Sequence, residues 1–112
     1  IADFTLLETA VAVARRTGLE FAVGNLLSSD VFYAPAEHTL AWGRMGVLAA
    51  EMESAALYCN AAEAGKRALA ICTVSDSLLT GEGLSPQERQ TSLDQMLRLA
   101  LDTAAELARQ GV

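Results

Sequence analysis

Two polar clusters hold the residues best suited to chemistry. Glu51-Met52-Glu53 closes one apolar segment and Ser75-Asp76 closes another. Carboxylates at alternate positions of a strand end point the same way, and Met52 points oppositely. A strand that breaks at Glu53 loses that parity. One carboxylate can accept hydrogen bonds from two adjacent hydroxyls, which is what a ribose 2′,3′-diol offers. The competing structural reading makes Glu53 the first-turn acid of the next helix, favoured by the helix dipole.

Asp76 follows a buried-looking strand, and Arg89 lies thirteen residues on, in the first turn of the last helix. An aspartic acid is a poor proton donor at neutral pH, since its ordinary pKa is about 3.9. Half-protonation near pH 7 requires a shift of about 3 units, or roughly 4 kcal/mol. Burial supplies part of that, and a bound base nitrogen accepting the proton supplies more. An arginine beside a free carboxylate works the other way, so Arg89 is expected to act late or indirectly. The structural alternative for Asp76 is a turn or cap residue.

Other candidates are weaker. His38 has no partner at a fixed spacing and reads as a surface histidine. Trp42 and Met45 share a helix face, so packing is the default. Phe32-Tyr33 follows Ser28-Ser29-Asp30 on a loop, where an aromatic ring could stack on a planar base or plug the core. Gly81-Glu82-Gly83 lacks the lysine of a phosphate-binding loop.

These residues need elements to hold them. Thr5 to Glu8 reads as a capping box, followed by an apolar stripe at Leu7, Val11 and Ala14, with Gly18 as the stop. Leu19 to Val23 reads as a strand, and Gly24 to Asp30 as a loop continuing through Phe32-Tyr33-Ala34-Pro35. Glu37 to Met45 is a weak helix. Val47 to Met52 is a second strand, Glu53 to Ala64 a helix ended by Gly65, and Arg67 to Ser75 a third strand. The third strand's continuous apolar character predicts burial on both faces. Strand, helix, strand makes a βαβ unit with parallel pairing. Asp76 to Leu84 is a loop. Ser85-Pro86-Gln87-Glu88 then starts a helix that runs to about Arg109. The class is α/β, with helices flanking a sheet. Ligands of open α/β sheets bind beyond the carboxyl ends of the strands, where both polar clusters fall.

Composition narrows the function. Apolar residues make up 52% of the 112, enough for a core and against disorder. The longest apolar run, Ala68 to Val74, suits a strand rather than a membrane helix of about 20 residues. No signal peptide is visible. A net charge of −6, with basic pairs only at Arg15-Arg16 and Lys66-Arg67, argues against nucleic acid as a partner. Cys59 and Cys72 read as reduced core residues of a cytoplasmic protein. One histidine and no CxxC argue against a zinc site. Ile1, with no Met, runs straight into a helix start, which points to a piece of a longer polypeptide.

Taken together, Gly24-Asn25-Leu26, Asp30-Val31-Phe32-Tyr33, Glu51-Met52-Glu53-Ser54-Ala55-Ala56, Thr73-Val74-Ser75-Asp76 and Glu88-Arg89-Gln90-Thr91 resemble the bacterial, hexameric type of purine nucleoside phosphorylase. The Glu-Met-Glu segment is shared with uridine phosphorylase and methylthioadenosine nucleosidases; the last two segments are more specific to the purine enzymes. The resemblance covers essentially all of residues 1–112 but only the C-terminal portion of the family's single domain. It implies a mixed, partly barrel-like sheet flanked by helices. It also implies reversible phosphorolysis of purine nucleosides in purine salvage, with phosphate as co-substrate and no cofactor.

By the same resemblance Glu53 holds the ribose hydroxyls and Met52 packs under the sugar. Ala50 and Glu51 line the nucleoside site, Phe32 stacks near the base, and Ser75 and Asp76 face the purine. Asp76 becomes the proton donor to N7 and Arg89 its helper. The family's partners are a purine nucleoside, phosphate and further copies of itself, as a hexamer, or here an N-terminal half.

Departures occur at Ser77 and Leu79, where the family often has His and then Arg or Phe, and in a poorly matching stretch from Ala36 to Gly46. The family's phosphate site lies in its N-terminal half and maps onto nothing here. A hydrolytic nucleosidase on the same scaffold, and a non-catalytic remnant that keeps self-association, remain alternatives.

Overall fold

The computed structural model describes residues 1–111. Its first helix, α1 (Phe4–Arg16), starts two residues earlier than the capping-box reading. Asp3 is the cap, its carboxylate accepting the Leu6 N–H at 3.0 Å, so Thr5 and Glu8 sit inside the helix. The stop is as expected. Gly18 takes φ +73°, and the Leu19 and Gly18 N–H groups close back onto Ala14 and Arg15 carbonyls at 3.0 and 3.2 Å. Glycine adopts that backbone without steric cost.

The first strand is displaced. β1 is Asn25–Ser28, inside the segment read as a loop, and Leu19 to Val23 is not a strand. Apolar β-prone residues mark a segment that can pair, but the partner decides which one does. β1 finds its partner in β2 (Val47–Glu51), in parallel register Leu26↔Ala49, Leu27↔Ala50 and Ser28↔Glu51. Helix α2 (Ala36–Arg44) joins them, so the βαβ unit is β1-α2-β2.

Helix α3 (Ser54–Glu63) follows β2 and ends at Gly65, φ +64°, with the same pair of closing bonds to Ala61 and Ala62. Helix α4 (Pro86–Arg109) has the full expected cap: Ser85 accepts the Glu88 N–H and Glu88 accepts the Ser85 N–H, both at 3.1 Å.

The third expected strand, 67–75, has no ladder partner among the described residues. It is tied down singly. The Asp3 N–H donates to the Ala68 carbonyl at 3.0 Å, the Ala70 N–H to the Tyr58 hydroxyl at 2.8 Å, and the Thr73 hydroxyl to the Ser92 carbonyl at 3.4 Å. The chain therefore keeps the α/β class with one two-stranded parallel sheet.

The core is small. α1 packs on α4, and its buried residues are Thr9, Ala10, Val13 and Ala14, with Thr103 on α4, so Ala14 of the expected stripe is buried while Leu7 and Val11 are half-buried. Small side chains at the buried positions let the helices approach. Large apolar residues elsewhere stay exposed, among them Phe21, Val23, Leu48 and Val74. Trp42 and Met45 are exposed too, against the packing expectation, as is His38, in line with a surface histidine. Cys59 and Cys72 are free thiols but exposed rather than in the core. The accessible surface is 8256 Å², against about 5,900 Å² for a closed globule of this mass. The radius of gyration is 15.2 Å, against about 13 Å for a compact domain of this length. An apolar groove of about 320 Å³ opens between α1, α3, α4 and residues 67–71. Among the described residues no helix is long and apolar enough to cross a membrane.

Candidate active site

The end of β2 and the start of α3 form one hydrogen-bonded cluster. The strand stops at Glu51, and Glu53 is the residue before the first helical turn, with φ −125° and ψ −22°. The alternation that would aim both carboxylates alike is therefore broken. Glu53 does not cap the helix. Glu51 does so from the strand: Oε2 accepts the Glu53 and Ser54 N–H groups, each at 2.7 Å, and Oε1 accepts the Ser54 hydroxyl. The neighbouring strand adds Ser28, whose hydroxyl oxygen accepts the Ala55 N–H at 3.1 Å. Donors that a helix start leaves orphaned thus find acceptors in the sheet. Glu53 is exposed, and its Oε2 takes the Met52 N–H at 3.3 Å.

Electrostatics follow these bonds. Desolvation pushes Glu51 upward, but the Ser54 hydroxyl, the Glu53 and Ser54 N–H groups and the Ser28 hydroxyl outweigh it. Together they hold Glu51 at about 2, against an ordinary 4.5. A carboxyl so depressed contributes stability that is present above its unfolded value and lost as pH falls through its folded one. The loss from Glu51 therefore runs from about pH 4.5 down to about 2. Glu88, held low by Ser85, and Glu106, held low by the Arg109 side chain, act in the same direction. In the complete polypeptide, Glu51→Gln should flatten the acid-side fall of the unfolding midpoint without abolishing it. Identical slopes for both proteins in thermal melts over that range would contradict this.

The second cluster surrounds Asp76. Ser75 Oγ donates to Asp76 Oδ2 at 2.7 Å, and Arg89 Nη2 reaches Oδ1 at 3.3 Å. Residues 76–84 close on themselves: the Leu84 N–H donates to the Ser75 carbonyl at 2.9 Å, and Asp76 forms an antiparallel bridge with Gly83. A Cβ on Gly83 would stand 2.6 Å from Asp76 Oδ1, so the glycine leaves the carboxylate its room. The α4 cap aims Arg89, one turn into the helix, back at this loop. Arg89 is thus already a direct partner of Asp76, not a late or indirect one. Both side chains are more than half exposed, so the pair positions more than it stabilises.

The Cys72 thiol is pushed up by partial desolvation and then by the fields of Glu51 and Glu53. Ala50 pairs with Leu27 in the ladder, and Met52 is exposed in the turn. Phe32 lies apart, 77% exposed, its ring edge-on to Tyr33 with centroids 4.8 Å apart. It does not plug the core. Ser28 and Ser54 escaped the sequence reading. The Glu51-x-x-Ser54 spacing was the available signal, since a strand-end acid can cap a helix that begins three residues later.

The scaffold is α/β, with an acidic turn at the end of β2 and an Asp–Arg pair at the start of α4, and comparison with known proteins places it in a family. Residues 1–110 match the model of the Phosphorylase superfamily, and the chain belongs to that family. Among its relatives are the DeoD-type purine nucleoside phosphorylases. That of Myxococcus xanthus is 54% identical over 107 residues, and that of Hahella chejuensis 52% over 105; each match covers 93% of this chain and 44% of the relative. That of Geobacillus sp. strain WCH70 is 50% identical over 103 residues, covering 92% of this chain and 44% of the relative. The chain spans less than half the length of the curated relatives it matches.

Proposed function

We propose that this chain is the nucleoside-binding, proton-donating portion of a purine nucleoside phosphorylase. The observation that carries the reading is that the chain is about half identical to DeoD-type enzymes over nearly its whole length, with Asp76, the carboxyl the resemblance makes the proton donor, held by Ser75 and Arg89. Cleaving the glycosidic bond builds positive charge on the sugar and negative charge on the departing purine. A proton from Asp76 to N7 neutralises the leaving group. Glu53, and phosphate entering as nucleophile, stabilise the cationic side. Met52, Ala50 and Glu51 form the sugar side, Phe32 and Ser75 the base side. No cofactor is required. The working protein is a cytoplasmic homo-oligomer, with phosphate held by residues outside this chain.

The test of the purine assignment is base release by the complete polypeptide from inosine, adenosine and uridine in phosphate buffer. Purine nucleosides should be cleaved and uridine spared. Cleavage of uridine at a comparable rate, or of none of the three, would overturn the reading.

The sugar assignment has its own test. Glu53→Gln keeps the size of the side chain but loses a charge-assisted acceptor, worth about 1.5–3 kcal/mol. The efficiency kcat/KM on ribonucleosides should fall by about ten-fold to a hundred-fold. A near wild-type efficiency would return Glu53 to the role of a helix-start acid.

A further inference from the structure

We propose that Glu51 is a positioning residue: with Ser28 and Ser54 it fixes the Met52-Glu53 turn and so sets the direction from which the Glu53 carboxylate meets the sugar. This rests on the sugar-binding reading of Glu53, and it moves Glu51 from the lining of the nucleoside site to the support beneath it.

Four features carry the inference. Both Glu51 oxygens are already engaged inside the protein, Oε2 by two backbone N–H groups and Oε1 by a hydroxyl. Little acceptor capacity is left for a substrate. One of those N–H groups belongs to Glu53 itself, so the Glu51 carboxylate holds the Glu53 backbone directly. The Glu53 carboxylate, by contrast, makes one long bond of 3.3 Å to the adjacent Met52 N–H, a bond easily exchanged for sugar hydroxyls. The supporting cluster is also anchored outside the turn. Ser28 and Glu51 are register partners in the sheet, and Ser28 holds the Ala55 N–H of α3. The turn is thereby clamped to two strands and one helix, with one free carboxylate on top. A carboxylate at a helix start is an effective clamp because its bonds to N–H groups are charge-assisted.

The test uses the complete polypeptide and the ratio of kcat/KM on adenosine to that on 2′,3′-dideoxyadenosine, which lacks the hydroxyls that Glu53 would hold. Glu51→Gln should lower that ratio by about ten-fold, the scale of a lost charged hydrogen bond. Because Glu51 acts through Glu53, adding Glu51→Gln to Glu53→Gln should cost less than about two-fold more. Losses that multiply would make Glu51 a direct ligand and overturn the proposal. A ratio unchanged in Glu51→Gln, with both substrates slowed alike, would leave it a purely structural residue and overturn it too. If Glu53→Gln itself leaves the ratio unchanged, the sugar reading has failed rather than the clamp alone. Should Glu51→Gln not fold, Ser28→Ala removes one arm of the clamp and must still lower the ratio, by about two-fold to five-fold; no change there overturns the proposal.

Discussion

Replacing Asp76 with alanine is expected to lower turnover of inosine and adenosine by a factor of about 10² or more, the usual scale for loss of a general acid. The substitution removes the group that Ser75 and Arg89 hold at the end of the apolar segment. It takes away no core packing, since Asp76 is exposed. The loss should depend on the leaving group. A purine already carrying positive charge, as in 7-methylguanosine, departs without a proton at N7 and should suffer much less. Steady-state rates on guanosine and 7-methylguanosine for both proteins measure this. Equal losses on the two would remove Asp76 from the acid role. Arg89→Ala should fall between, because it removes the partner of the acid and leaves the acid in place.

The second large effect concerns the segment by itself. Residues 1–112 without further chain should show no phosphorolysis. Phosphate is an anion, and holding it beside a sugar calls for several N–H groups or arginines. The site here is dominated by Glu51, Glu53 and Asp76. Arg89, the cation beside Asp76, is already committed to it. Such a cluster repels phosphate. The fold is incomplete in the same sense. Among the described residues the buried apolar set is Ala10, Val13 and Ala14, and the surface exceeds that of a closed globule by about 2,300 Å². Unpaired apolar backbone at 67–75 and the open groove beside it should drive association. Light scattering and an inosine assay on the pure segment, checked by mass, would measure both expectations. Phosphate-dependent cleavage by that segment would show that the phosphate site is misplaced.

What the sequence made legible was local. The α4 start, Ser85-Pro86-Gln87-Glu88, is a self-contained set of caps, and the structure has both of its bonds. The α1 and α3 ends at Gly18 and Gly65 were legible for the same reason, since each is set by one glycine's backbone freedom. What failed depended on partners distant in sequence. Leu19 to Val23 has strand-like residues, yet pairing went to Asn25–Ser28, because that is where β2 lies alongside. Residues 67–75 look like the most buried strand and have no ladder neighbour among the described residues. At the site, a loop and a helix start made the nearness of Asp76 and Arg89 legible, but not the direct bond between them, since Arg89 was expected to act late or indirectly. The division of labour between Glu51 and Glu53 was not legible. Either acid could have capped α3 by type. The strand ending at Glu51 decided it, and with it which carboxylate stayed free.

The central claim is that bond cleavage at this site hands the sugar to phosphate, with the purine leaving as a neutral base. It is tested most directly by following inosine cleavage in the complete polypeptide by phosphorus NMR, with and without phosphate. The account predicts one ribose 1-phosphate formed for each hypoxanthine released, and no hypoxanthine when phosphate is withheld. Hypoxanthine released at the same rate without phosphate, alongside free ribose, would contradict it and make the enzyme a hydrolase on the same scaffold.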